Sequence, residues 1–241
     1  AFVSTAFVAG RRTGSIQETD TGSRLGWLNA YEQSKAEAEA LVHTLASNPV
    51  VFRPSTMVYD DETGTVRQVN AVHRALRLCW HGLAPMLPTA PHATVDVVTT
   101  DYVTRAIAAL ALRPELAGRT IHLCAGAGAA PLEELLDLCW RTWSRDPVWR
   151  RRTIERPALA SLETYRLFER GVLETGDERL RRVLASLSHF APQLALPKTF
   201  DTSTADVLLG APAPAVRSYW PRMLDQLAAV AGGRGRTGRA A

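Results

Sequence analysis

Two β-rich runs, residues 1–9 and Val50-Val51-Phe52-Arg53-Pro54, flank a long helical pattern of Ala, Glu, Leu and Val from Tyr31 to Ala46. A strand, a crossover helix and a second strand in that order specify parallel pairing with a right-handed connection, and so an α/β class. The alternation continues. Residues 66–80 read as a helix, Val95 to Val98 as a strand, and Thr100 to Leu112 as a helix capped by Thr99 or Thr100. Thr120 to Ala125 reads as a strand, and Pro131 to Trp143 as a helix opened by proline. After Pro147 the pattern changes to helices near 157–170, 176–188 and 217–230, with a Pro-containing stretch at 191–197 and no recurring strand signal. The expected organisation is a parallel-sheet portion over 1–146, a helical C-terminal subdomain over 147–231, and a disordered tail over 232–241.

At 241 residues and 46% hydrophobic composition the chain can bury a substantial core. No window approaches the roughly 18 apolar residues of a membrane helix. The net charge of +4 is more than accounted for by Arg150, Arg151 and Arg152 together with Arg234, Arg236 and Arg239 in the tail. Neither arginine group sits on an aromatic-interleaved helix face, so no nucleic-acid partner is expected. Cys79, Cys124 and Cys139 lack metal or disulfide spacing. They read as buried thiols of a reducing, cytoplasmic compartment. His43, His73, His81, His92, His122 and His189 never fall at metal spacing, and Asp60-Asp61-Glu62 reads as a solvated turn. Trp80, Trp140, Trp143, Trp149 and Trp220 read mostly as core or cap packing, with some as candidate lining of an acyl channel. The first residue is Ala, and residues 1–5 read as a core strand already under way, so the chain is expected to be part of something longer.

The strongest chemical feature is Tyr31-Glu32-Gln33-Ser34-Lys35, because positions i and i+4 share one helix face and bring a phenol beside an ammonium. A phenol is a poor acid/base at neutral pH, and a neighbouring cation favours its ionised form. Alone, such spacing equally describes a solvated face. The preceding strand alters that, since a hydroxyl at its C-terminal end, Thr5, would face the ligand crevice of a parallel sheet and complete a hydroxyl, phenol and ammonium set.

With Ser4-Thr5-Ala6, the helix Tyr31 through Val42 and Arg53-Pro54-Ser55 in register, the chain resembles the extended short-chain dehydrogenase/reductases. Val3 to Val8, Glu18 ahead of the Tyr, Thr63-Gly64, Val95 to Val103 and Phe190-Ala191-Pro192 with Phe200-Asp201-Thr202 resemble the thioester reductase and fatty acyl-CoA reductase branch. That branch includes the terminal domains of carboxylic-acid reductases. The resemblance implies the C-terminal part of a Rossmann-like parallel sheet with a helical substrate-binding cap and without the Gly-rich first unit. It implies reduction of an acyl thioester, on coenzyme A or a carrier protein, to aldehyde or alcohol by NADP, with NAD not excluded. In it Thr5 hydrogen-bonds the substrate carbonyl, Tyr31 donates the proton, Lys35 holds the nicotinamide ribose, and Pro54 and Ser55 line the cofactor. Tyr59 departs from the family's glycine at that position. A nucleotide-sugar or sterol epimerase/dehydrogenase shares the triad, and a truncated non-catalytic remnant shares the sequence. Exposed helices in this superfamily pair, so a homodimer is one expected arrangement.

Two Gly-rich stretches invite a phosphate-loop reading. Ala125-Gly126-Ala127-Gly128 follows a strand and opens a helix but lacks the third glycine, and Gly233 to Gly238 fits G-x-G-x-x-G with no strand before it. Both read as coincidental.

Overall fold

The computed structural model describes residues 1–187 and 190–231. His189, the expected disordered tail and the Gly233 to Gly238 match lie outside the described residues.

In chain order the elements are β1 (Phe2–Val3), β2 (Gly14–Ile16), α1 (Ala30–Leu45), β3 (Val51–Pro54), β4 (Thr56–Tyr59), α2 (Ala71–Trp80), β5 (Met86–Pro88), β6 (Thr94–Val95), β7 (Val97–Thr99) and α3 (Thr100–Leu110). There follow β8 (Thr120–Leu123), β9 (Ala130–Pro131), α4 (Leu132–Trp143), α5 (Pro147–Arg150), β10 (Ala158–Ala160), α6 (Leu162–Thr175), α7 (Glu178–Leu187), β11 (Lys198–Phe200), α8 (Ser203–Leu209) and α9 (Val216–Ala231). The central sheet is parallel, in the order β1-β3-β8, with Val3 opposite Phe52 and Phe52 opposite Ile121. The α/β class is therefore as expected. No helix among the described residues is long and apolar enough to cross a membrane.

Several boundaries differ from expectation. The first strand ends at Val3 rather than running to residue 9, because the Thr5 hydroxyl accepts from Phe7 N at 3.4 Å and starts a 3-10 turn over Ala6–Ala9. Gly10 closes that turn at φ +59°, and a Cβ there would lie 2.3 Å from the Gly26 carbonyl oxygen. Helix α2 starts at Ala71 rather than Val66, since Asn70 caps Val72 and His73 while His73 Nδ1 accepts from Asn70 N. The strand expected over 95–98 is split at Asp96, whose carboxylate turns inward to accept from Ala125 N at 2.8 Å and Gly126 N at 2.9 Å.

The expectation of no strands after residue 147 is corrected. β10 pairs with β5 and β11 with β2, each in parallel over three residues, too short to leave an alternating pattern. The β2–β11 pair clamps the start of the chain to its C-terminal third, with Phe200 edge-on to Phe7 at 6.1 Å. One continuous buried cluster reaches from Val50 and Phe52 through Leu76, Leu110 and Leu135 to Tyr165, Leu187 and Leu224, so the helices after 147 share the core of the sheet portion.

Lys198 on β11 is buried, with its ammonium donating to the Gly10 carbonyl at 2.6 Å. Burial pulls its pKa down to about 8. The folded state therefore sheds this proton before the unfolded state does, and the Lys198 contribution to stability rises with pH from about 8 towards the unfolded value near 10.4. Chemical denaturation of wild type and Lys198→Met across that range should show the wild type gaining stability relative to the variant. A difference that does not change with pH would contradict this assignment.

Candidate active site

Parallel strands β1 and β3 end side by side, and residues just beyond their C-terminal ends form one wall of a cavity of about 750 Å3. Thr5, Tyr31, Lys35, Pro54 and Ser55 all line it, so the structure brings together the five residues expected to carry catalysis and cofactor contact. That volume lies within the range of small-molecule and cofactor sites.

Each residue is held by a local cause. Thr5 is 4% exposed, and its hydroxyl donates to the Pro54 carbonyl at 3.5 Å while accepting from Phe7 N. Tyr31 lies in the first turn of α1 and is 58% exposed. That turn is fixed by Asn29, whose side chain accepts from Glu32 N at 3.0 Å, and by the buried Glu32 carboxylate, which accepts from Leu28 N at 2.9 Å. Lys35, one turn on, donates from Nζ to the Val3 carbonyl at 2.8 Å and lies 5.0 Å from the centroid of the Phe2 ring. The helix face carrying the phenol is thereby tied to the edge of β1.

Sequence reasoning gave no site role to two residues of this wall, Ser4 and Gln193, or to the buried Asp96. Ser4 is buried and lines the cavity, and its hydroxyl has no hydrogen-bond partner among the described residues. Gln193, from the 3-10 helix at Ala191–Ala195, donates to Glu32 Oε1 at 2.7 Å and so joins the C-terminal part to the first turn of α1. Asp96, outside the cavity lining, accepts from Ala125 N and Gly126 N, and burial raises its pKa to about 6. The Asn29-x-x-Glu32 spacing was a readable capping signal. The contact with Gln193, 161 positions away, left no local trace.

Other residues singled out from the sequence have structural duties. Glu18 accepts from His122 N at 3.0 Å and from the Thr204 hydroxyl at 2.9 Å, outside the cavity. His122 is fully buried, which pulls its pKa down to about 4. Asp60 binds Thr63 N and Arg67, and Asp61 pairs with Arg222, so the acidic turn is a network of ion pairs. Tyr59 is buried and stacks on Tyr219 with ring centroids 6.5 Å apart. Trp80, Trp140, Trp143 and Trp149 pack on one another. Among the described residues no group of His, Cys, Asp or Glu could hold a metal ion.

The Gly126 turn is no phosphate loop. Its N–H groups are taken by Asp96, and a Cβ on Gly126, at φ +53°, would meet the Thr202 side chain at 2.9 Å and the Phe200 carbonyl at 3.0 Å. The glycine is there so that the Phe200-Asp201-Thr202 segment can pack against it.

An NAD-binding family model described as "Male sterility protein" matches residues 1–107. Among solved structures, the chain is similar to the terminal R domain from the myxalamid PKS-NRPS biosynthetic pathway, at 23% identity and TM-score 0.66, over 98% of this chain and 59% of that one. It is also similar to UDP-glucuronic acid 4-epimerase from Bacillus cereus, crystallised with NAD, at 16% identity and TM-score 0.63, over 98% of this chain and 62% of that one. A thiolation-reductase di-domain from an archaeal non-ribosomal peptide synthetase matches at 18% identity and TM-score 0.60, over 93% of this chain and 48% of that one. The chain thus spans between about half and three-fifths of these structures. The likeness establishes the fold alone, an α/β fold of the Rossmann-like kind with a parallel sheet. No curated protein matches the chain.

Proposed function

We propose, from the match of residues 1–107 to the NAD-binding family model described as "Male sterility protein", that the chain carries the catalytic and substrate-binding part of an NADP-dependent reductase of acyl thioesters. The thioester would be one of coenzyme A or of a carrier protein, and the product an aldehyde or alcohol. The observation that carries this reading is the convergence of Thr5, Tyr31 and Lys35 on one cavity at the ends of parallel strands. The helical stretch 147–231 is read as its substrate-side cap, and the free, buried Cys79, Cys124 and Cys139 fit a reducing cytoplasm.

The cavity wall fits the nicotinamide end of a cofactor. Its volume is sufficient, the orphaned Ser4 hydroxyl is a polar atom that a ligand would satisfy, and Lys35, Pro54 and Ser55 line one side. When bound there, the cofactor supplies the hydride. Tyr31 then donates its hydroxyl proton to the oxygen of the reduced carbonyl, and the long Thr5 bond to Pro54 is readily exchanged for one to that oxygen. Lys35, anchored on β1, places a positive charge on the face where Tyr31 must ionise. The hemithioacetal so formed releases its thiol to leave the aldehyde.

Thr5→Val should lower kcat about a hundredfold or more by removing one donor to the developing oxyanion. Thr5→Ser, which keeps the hydroxyl, should restore most of the rate. Stopped-flow NADPH oxidation with an acyl-CoA reads both, and equal rates for Val and wild type would remove Thr5 from the site. The likeness to the epimerase keeps a second reading in view, a nucleotide-sugar enzyme on the same triad. It requires turnover of a UDP-sugar and none of an acyl-CoA, so one assay with both substrates decides between them.

A further inference from the structure

Thr5 and Tyr31 stand on separate elements, and one short segment of the C-terminal part reaches both. Thr5 opens the 3-10 turn Ala6–Ala9 that ends at Gly10, and Tyr31 lies in the first turn of α1. The Gly10 carbonyl accepts from the buried Lys198 ammonium at 2.6 Å, and Phe7 in the same turn packs edge-on with Phe200. The first turn of α1 receives Gln193, whose Nε2 donates to Glu32 Oε1 at 2.7 Å. Residues 190–200 therefore touch the turn after Thr5 and the turn that bears Tyr31. Through Phe190 and Gln193 the same segment also lines the cavity the two share.

The contact with Glu32 is costly to leave unmade. The Glu32 carboxylate is 1% exposed, and its hydrogen bonds come from neutral donors, Leu28 N at 2.9 Å, Asn29 Nδ2 at 3.4 Å and Gln193 Nε2 at 2.7 Å. Lys198, from the same segment as Gln193, acts on Glu32 through its charge. A buried carboxylate deprived of its shortest hydrogen bond carries the desolvation cost of that group and turns towards other donors. Glu32 adjoins Tyr31 in the chain, and Asn29 caps its N–H at 3.0 Å, so a turn of its side chain disturbs the backbone that carries the phenol. Tyr31 is 58% exposed, so packing on its ring restrains it little and its place depends on that backbone.

We infer that Gln193 is a positioning residue, which through Glu32 sets where the Tyr31 hydroxyl stands relative to Thr5. The C-terminal part thereby holds the proton donor in register with the hydroxyl it works beside. Gln193 acts through Glu32 and not on the reacting carbonyl. This rests on the reading of Tyr31 as proton donor to a thioester carbonyl.

Placement and rate are read separately, in the protein as its gene encodes it. Placement is read by fluorine NMR of protein containing 3-fluorotyrosine, with the Tyr31 resonance assigned by its loss in Tyr31→Phe. Rate is read by NADPH oxidation with decanoyl-CoA. Gln193→Leu removes the donor and keeps most of the volume. It should move the Tyr31 resonance and lower kcat by about ten- to a hundredfold, with KM for NADPH nearly unchanged. Gln193→Glu sets two carboxylates across the 2.7 Å now spanned by the hydrogen bond and should act in the same direction. Combined with Glu32→Gln it again faces one amide with one carboxylate, and should return the resonance and most of the rate. That exchange keeps the inference testable if Gln193→Leu does not fold. An unmoved Tyr31 resonance in folded Gln193→Leu overturns the inference, whatever the wild type reduces. A moved resonance with unchanged kcat in an active enzyme overturns it too, as does a folded double variant that restores neither readout. If the resonance moves and returns as expected while the wild type oxidises no NADPH with decanoyl-CoA, the placement of Tyr31 by Gln193 stands and the thioester-reductase reading falls.

Discussion

Arg53→Met is expected to lower the unfolding free energy by about 3–5 kcal/mol, the cost of stripping the partner from a buried ion pair. Arg53 on β3 is 2% exposed, and its Nε lies 3.2 Å from both carboxylate oxygens of Glu39 on α1. Its Nη1 donates at 2.9 Å to the carbonyls of Glu18 and Asp20 in the loop after β2. One guanidinium thus joins the sheet, the crossover helix and the loop that leads to the catalytic helix. With Met in its place, Glu39 is left 5% exposed without a counterion, and both carbonyls lose a donor. Lys offers a single point charge instead of a planar fork and should recover little. Arg53→Met combined with Glu39→Leu should recover a large part, because the stranded carboxylate is then absent. Urea denaturation of the three variants measures this, and a loss below 1 kcal/mol for Arg53→Met would show that the network is structurally idle.

The second large effect falls on rate rather than stability. Tyr31→Phe should lower kcat by about 10²–10⁴, the usual worth of a positioned general acid. Substrate and cofactor affinity should be nearly unchanged, since the ring that lines the cavity remains. Tyr31 is 58% exposed, so its hydroxyl supports no core packing and the change in stability should stay within about 0.5 kcal/mol. A loss of activity without a loss of fold separates chemistry from scaffolding. Retained turnover in Tyr31→Phe would mean that another group delivers the proton.

The β-α-β frame was readable because strand, crossover helix and strand each carry a strong local pattern, and the frame alone places Thr5 beside the first turn of α1. What stayed hidden was set by contacts distant in sequence or by very short elements. The Gly14–Ile16 and Lys198–Phe200 pair is three residues on each side, and its register depends on Phe200 meeting Phe7 and Ile16 rather than on alternation. The end of β1 at Val3 depends on one hydroxyl bond from Thr5, which propensity does not capture. Ser4, read only as part of the Ser4-Thr5-Ala6 motif, was given no role of its own because its distinguishing property, a buried hydroxyl without a partner among the described residues, exists only after folding. The Gln193 contact to Glu32 belongs to the same class.

The central claim is that this cavity reduces a thioester carbonyl by hydride transfer. The most direct measurement is NADPH oxidation with decanoyl-CoA, with aldehyde and alcohol quantified in the same reaction. It should be made on the 241-residue chain and on the same chain joined to whatever sequence its gene encodes upstream. The account predicts one NADPH oxidised per aldehyde formed, or two per alcohol, with both products lost in Tyr31→Phe. Binding of NADPH with no acyl-dependent oxidation in either preparation, or no binding in either, would contradict it.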